Sequence, residues 1–252
     1  MIIKSKDAIL KMKTAGKLLA EIFEMVPAII KPGVTTLMID QWIAEQLKKN
    51  NLVSQSKGYM GYQHVSCISV NQVVVHGVPS AHVVLQKNDM VKVDVCAAWK
   101  GYCADMARAY LVDVQQPTEQ IKRFMDTAQQ ALQAGIDQAT EGNRLFDISY
   151  AVQHVTEQQG YGVVRDFAGH GIGKKMHEEP DVPNFGKKGT GMILRAGMTF
   201  AIEPMITVGN YDVFVMEDGW TVQTVDQSLA MHVEDTILIT HNGPEVLTRL
   251  QG

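Results

Sequence analysis

The sequence predicts an α+β fold in which two duplicated halves contribute strands to one sheet, and three observations predict it. Residues 91–112, VKVDVCAAWKGYCADMARAYLV, read as a β-hairpin: Val91, Val93 and Val95 alternate with other residues, Lys100 and Gly101 supply the turn, and Tyr110, Leu111 and Val112 close the second run. Helical patterns flank it in matching form, with Gly33, Ile39 and Ile43 recurring as Gly142, Ile148 and Val152 at a constant offset of 109 residues. From Tyr161 onward the chain is Gly-rich, turn-dense and strand-forming.

Taken in order, Ser5 is a candidate N-cap, and Ile9, Met12, Leu18, Leu19, Ile22, Phe23 and Val26 follow at helical spacing, so residues 5 to about 29 are expected to form an amphipathic helix. Lys31-Pro32-Gly33 ends it. Thr35 or Thr36 then caps a second helix through Leu37, Ile39, Ile43 and Leu47. Residues 59–75 read as irregular segments and short strands that lead into the loop His76-Gly77-Val78-Pro79. After the hairpin, Pro117 and Thr118 open a long helix through Ile121, Phe124, Met125, Ala128 and Leu132. Glu141-Gly142 breaks it before another helix through Ile148, Val152 and Val155.

The two carboxylates of the hairpin need a reason. Asp is depleted in strands, and an ionised carboxylate on an apolar face is costly unless it is paired or metal-bound. Asp94 and Asp105 are expected near the open end of the hairpin, on one side, at a separation that a divalent ion bridges; the plainer alternative is an exposed sheet face with both residues in solvent. The internal repeat carries Asp94 onto Glu203 at the same offset of 109, and Asp105 onto Glu234 at an offset of 129, after an insertion of about twenty residues. Halves of about 5–112 and 118–248, within a single domain spanning 1–252, would bring four carboxylates together on the inner face of one sheet. Such a cluster repels itself unless cations neutralise it, which fits two divalent ions sharing bridging carboxylates. The candidate imidazole is His170, whose flanking glycines in Ala168-Gly169-His170-Gly171 let the backbone approach closely; a turn residue is the other reading.

Several classes are excluded. His177 is followed four residues later by Asp181, so no HExxH zinc motif is present, and Gly169-x-Gly171-x-Gly173 lacks the spacing of a phosphate loop. Cys67, Cys96 and Cys103 form no CxxC pair and suit a reducing compartment. The net charge of −4, with no basic block, recommends neither nucleic acid nor an anionic membrane as partner. A three-residue apolar start is too short for a signal peptide, and no run approaches the roughly 20 apolar residues of a membrane span. A cytoplasmic monomer is expected.

Asp94, Asp105, Glu203 in AIEPM and Glu234, together with AGHGIGKKMHEEP and NQVVVHGVP, resemble the type I methionine aminopeptidases from about residue 5 to 248. The resemblance implies the pita-bread fold shared with creatinase, aminopeptidase P and prolidase: a curved, mostly antiparallel sheet with helices on its outer face. It implies a dinuclear centre in which Asp94 serves one metal, His170 and Glu203 serve the other, and Asp105 and Glu234 bridge. It also implies that His76 and His177 line the substrate path, and that Tyr59, Tyr62, Cys67, Met176 and Trp220 line an apolar methionine pocket. The reaction implied is removal of N-terminal methionine from nascent polypeptides whose second residue is small. The resemblance further implies that Glu203 carries the proton, that His177 donates to the developing charge, and that His76 contacts the scissile amide or its departing nitrogen. Nascent polypeptide N-termini are the expected partners, with the ribosome as a further candidate. Co²⁺, Mn²⁺, Fe²⁺ and Zn²⁺ all accept this O/N donor set.

Two positions depart from the family pattern: Met106 and Ala201 stand where the family usually has threonine, and both lose a hydroxyl that could support the ligands. Met176 replaces a Phe-like residue. A proline-directed peptidase of the same fold usually carries a large N-terminal domain, whereas about 90 residues precede Asp94 here. The spacing of 33 positions from His170 to Glu203 leaves no room for the helical insertion of a type II enzyme. A non-catalytic nascent-chain or ribosome-associated protein is the remaining alternative, and such relatives typically lose the ligands that this chain keeps.

Overall fold

A computed structural model describes residues 3–250, so Met1 and Ile2 of the apolar start lie outside the described residues. Four α-helices, Lys6–Met25 (α1), Thr36–Lys49 (α2), Glu119–Gln138 (α3) and Leu145–Gln158 (α4), pack on three sheets. The first strands are Val53–Ser54 (β1), Cys67–Val70 (β2), Val73–Val75 (β3), Met90–Trp99 (β4) and Tyr102–Leu111 (β5). After α4 come Gly162–Val163 (β6), Ala168–Gly171 (β7), Glu178–Pro183 (β8), Thr199–Ile202 (β9) and Met205–Thr207 (β10). Val213–Val215 (β11), Val222–Thr224 (β12), Ala230–His232 (β13), Glu234–Thr240 (β14) and Gly243–Val246 (β15) complete the set.

Local chemistry sets the helix ends. The Ser5 hydroxyl accepts the Ala8 N–H at 3.2 Å, Thr35 accepts from Met38 at 3.2 Å, and Thr118 accepts from Ile121 at 3.3 Å, each satisfying a donor that a helix leaves open. α1 stops at Met25, short of the expected 29, because Pro27 has no N–H to continue the ladder and the chain tightens into a 3₁₀ turn, Val26–Ala28. Gly33 and Gly142 both adopt positive φ, and each precedes a helix of 14 residues. The hydrogen bonds around them repeat at the same offset of 109: Gly33 N–H to Leu85 O and Gly142 N–H to Leu194 O, with Thr35 facing Val84 as Arg144 faces Ile193.

The main sheet has nine strands, in the order β1-β4-β5-β14-β9-β7-β8, with β2 added beside β4 and β15 beside β14; every pairing is antiparallel. Alternation along the strands sorts its two faces. Val91, Val93, Val95 and Ala97 of β4, with Ala104 and Met106 of β5, pack into one apolar cluster with α1 and α2. Phe200 and Ile202 of β9, with Ile237 and Ile239 of β14, do the same with α3 and α4. A register slip of one residue would turn the acidic positions into these clusters, so the apolar faces fix where the carboxylates point. Each fully buried Ile, Val or Phe contributes roughly 1.5–3 kcal/mol to holding that register, against the entropy of ordering it.

The hairpin turns at Lys100 and Gly101, both at positive φ, as a two-residue connection requires. Asp94 pairs with Ala107 and Cys96 with Asp105, which places the carboxylates mid-hairpin rather than near its open end, diagonal to one another on one face. Met106 points the other way, into the helix-backed core, so the hydroxyl missing there lies on the far side of the sheet from the carboxylates. Ala201, between Phe200 and Ile202, falls on the carboxylate side.

Candidate metal centre

All twelve residues singled out by sequence line one cavity of about 130 Å³: Asp94, Asp105, His170, Glu203 and Glu234 at its floor, His76 and His177 beside them, and Tyr59, Tyr62, Cys67, Met176 and Trp220 around them. Neighbouring elements of the sheet supply the floor. Asp94 comes from β4, Asp105 from β5, Glu234 from the first residue of β14, His170 from β7, and Glu203 from the residue after β9. Asp105, His170 and Glu234 offer ligand atoms that lie within 4.8 Å of one another. His170 Nε2 is 3.6 Å from Glu203 Oε1 and 3.9 Å from Asp105 Oδ2.

The tautomer of His170 follows from its other nitrogen. Nδ1 lies 3.0 Å from the Gly171 carbonyl, which only accepts, so the proton sits there and Nε2 presents a lone pair to the carboxylates. Gly169 is required by the close approach of β9, since a Cβ there would stand 2.4 Å from the Ala201 carbonyl oxygen. His76 holds a positive φ of 57°, a strained conformation for a side chain this size, and the next residue is clamped to β2 by Gly77 N–H to Ser69 Oγ and by Ile68 N–H to Gly77 O.

Burial dominates the electrostatics. It raises Glu203 to about 8. It raises Asp105 to about 7, with the charge of Glu203 adding to the effect. Asp94 and Glu234 are pushed up by burial first and by the Asp105 charge second. Burial lowers His170 to about 3 and His76 to about 4, and it lowers His177 as well, so the imidazoles are neutral where the carboxyls are reluctant to ionise. Asp105 Oδ1 and Glu234 Oε1 are buried without a hydrogen-bond partner. Orphaned oxygens on clustered carboxylates, facing an imidazole lone pair, form the donor set of a hard or borderline divalent cation, and the residues present fit one.

The walls are held by a separate network. Asp40 of α2 accepts the N–H groups of Val65 and Ser66, both at 3.0 Å, and the Ser66 hydroxyl at 2.8 Å; the His64 ring lies 3.1 Å away. Tyr62 donates its hydroxyl to the Ser66 carbonyl at 2.9 Å and packs edge-on against Trp220 at 4.9 Å. Cys67 pairs with Asp94 across β2 and β4. His177 stands edge-on to His170, with ring centroids 4.4 Å apart, and its Nδ1 is 3.2 Å from the Tyr59 hydroxyl.

Sequence reasoning missed Ser56 and Cys96 in the lining, and also His232 and Lys92 behind the floor. A signal for three of these existed, because Cys96 and Lys92 lie two residues from Asp94, and His232 two from Glu234, which is one strand period. Lys92 is fully buried, donates to the Asn71 carbonyl at 2.8 Å, and is lowered by burial to about 7. His232 Nε2 stands 3.2 Å from Glu203 Oε2 but off the line of a hydrogen bond, which leaves it without a partner.

Comparison with known proteins identifies the family and the fold. Residues 10–241 match the model of metallopeptidase family M24. A methionine aminopeptidase of Clostridium acetobutylicum is 44% identical over 248 residues, covering 98% of each chain. The crystal structure of a methionine aminopeptidase from Thermotoga maritima superposes with a TM-score of 0.96 at 42% identity, covering 99% of this chain and 100% of that one. An Xaa-Pro dipeptidase from Bacillus anthracis shares the fold alone, with a TM-score of 0.78 at 24% identity and 62% of its length covered.

Proposed function

The chain belongs to metallopeptidase family M24 and, within it, to the methionine aminopeptidases of the pita-bread fold; from that premise we propose how its residues remove an N-terminal methionine. One observation carries the reading: twelve residues scattered from Tyr59 to Glu234 meet at a single cavity whose floor is a neutral imidazole and four carboxyls, Asp105 and Glu234 buried and Asp94 and Glu203 half-buried. Asp94, Asp105, His170, Glu203 and Glu234 would hold two divalent ions, with Asp105 and Glu234 shared between them. Bound there, the ions supply charge neutralisation, a more acidic water and polarisation of the scissile carbonyl.

The remaining steps belong to the protein. Tyr59, Tyr62, Cys67, Met176 and Trp220 receive the methionine side chain in a wall that is apolar and polarisable. Glu203 takes a proton from the attacking water and returns it to the departing amine. His177, beside His170, donates to the oxygen on which negative charge develops, and His76 contacts the amide nitrogen. Narrow access for the second residue would restrict cleavage to chains in which it is small, and the N-termini of nascent polypeptides are the substrates of that description.

The test is a peptide panel with protein loaded in turn with Co²⁺, Mn²⁺, Fe²⁺ and Zn²⁺. Met-Ala-Ser is expected to lose methionine, Met-Leu-Ser to resist, and Ala-Pro peptides to stay intact. Absence of release from Met-Ala-Ser with every cation would overturn the proposal.

A further inference from the structure

We infer that His232 is a positioning residue for Glu203, gripping one carboxylate oxygen from behind so that the other faces His170 and the cavity. The inference rests on the reading of Glu203 as the proton carrier. Glu203 lies between two imidazoles: Oε1 is 3.6 Å from His170 Nε2, and Oε2 is 3.2 Å from His232 Nε2. His170 lines the cavity, whereas His232 does not, so His232 acts on the substrate through residues that do, and its nitrogen stands beside Glu203.

The backbone makes this proximity a built feature. His232 ends β13 and pairs with Met205 of β10, two residues beyond Glu203. Val233 N–H bonds the Pro204 carbonyl, and the Asn184 amide donates to the Glu203 carbonyl at 2.9 Å. His232 therefore enters the site from a strand locked beside the segment that carries Glu203, and the side chains have little freedom to part. His232 is 2% exposed, and its Nε2 has no hydrogen-bond partner as it stands. A buried polar nitrogen without a partner is costly, and a small rotation of the Glu203 carboxylate would bring Oε2 into line with Nε2–H. With one oxygen so held, the rotation of the carboxylate that would carry Oε1 away from His170 is opposed. Holding a ligating, proton-carrying carboxylate in one orientation is the work that outer partners do for metal sites, where their removal typically costs about 10–100-fold.

The test compares wild type, His232→Leu and His232→Gln. Leucine keeps bulk without a donor, whereas the glutamine amide can reach Oε2. His232→Leu is expected to lower kcat on Met-Ala-Ser about 10–100-fold with KM within about 3-fold, and to weaken Co²⁺ binding to the metal-free protein, read by calorimetry, by about 10-fold. His232→Gln is expected to restore most of both. Wild-type kcat and Co²⁺ affinity in His232→Leu would overturn the inference, as would equal losses in both variants that track a fall in Tm, since that pattern means packing alone. If wild type itself releases no methionine, the functional reading fails, while the Co²⁺ arm still decides whether His232 orders Glu203.

Discussion

Loading the metal-free protein with a divalent ion at pH 7 should expel between one and two protons from Glu203 and Asp105 alone. A group with a value of about 8, such as Glu203, is roughly nine-tenths protonated at pH 7, and one at about 7, such as Asp105, is roughly half protonated. Asp94 and Glu234, raised for the same reason of burial beside other carboxyls, add to the count. His170 adds nothing, since burial has already made it neutral. Ligands must be deprotonated to bind, so the sign is fixed: cation affinity rises with pH, by roughly tenfold or more per unit between pH 6 and 7, and less steeply above about 8 as Glu203 ionises without help. Calorimetric titration with Co²⁺ in buffers of different ionisation enthalpy measures the released protons directly, and Glu203→Gln should lower the number by about one. Heats independent of buffer, or an affinity unchanged from pH 6 to 8, would refute the placement of these four carboxyls in one shared, metal-accepting cluster.

Glu203→Gln is expected to abolish methionine release from Met-Ala-Ser while peptide binding, followed by fluorescence of Trp220, survives; full turnover would remove Glu203 from the chemistry. Gly169→Ala places a Cβ 2.4 Å from the Ala201 carbonyl oxygen, so β7 and β9 must part beneath His170, costing about 1–3 kcal/mol in denaturant unfolding and most of the activity. Asp40→Ala leaves the buried N–H groups of Val65 and Ser66 without their acceptor, at roughly 1–3 kcal/mol each, and frees the wall that carries Tyr62 and Cys67; KM for Met-Ala-Ser should rise more than kcat falls, and an unchanged KM would separate Asp40 from the pocket.

What the sequence determined by itself is the alternation and its exceptions. Val91, Val93 and Val95 had to face an apolar layer, and that placed Asp94 on the opposite side of the strand. The offset of 109 residues carried the same logic to Glu203 and marked Gly33 and Gly142 as the turns before paired helices. Caps at Ser5, Thr35 and Thr118 were legible because each side chain satisfies a donor within its own turn. Only the tertiary structure decided what depends on strand register between distant segments. It set Asp94 diagonal to Asp105 mid-hairpin, and it turned Met106 into the helix-backed core, where a hydroxyl would do nothing for the carboxylates. It also brought His232 against Glu203, through the pairing of β13 with β10, and closed Asp40 over the Tyr62 wall from another helix. Local periodicity tells which face a residue takes; which other residue shares that face is set by long-range pairing, whose loop-closure entropy and packing no short window of sequence contains.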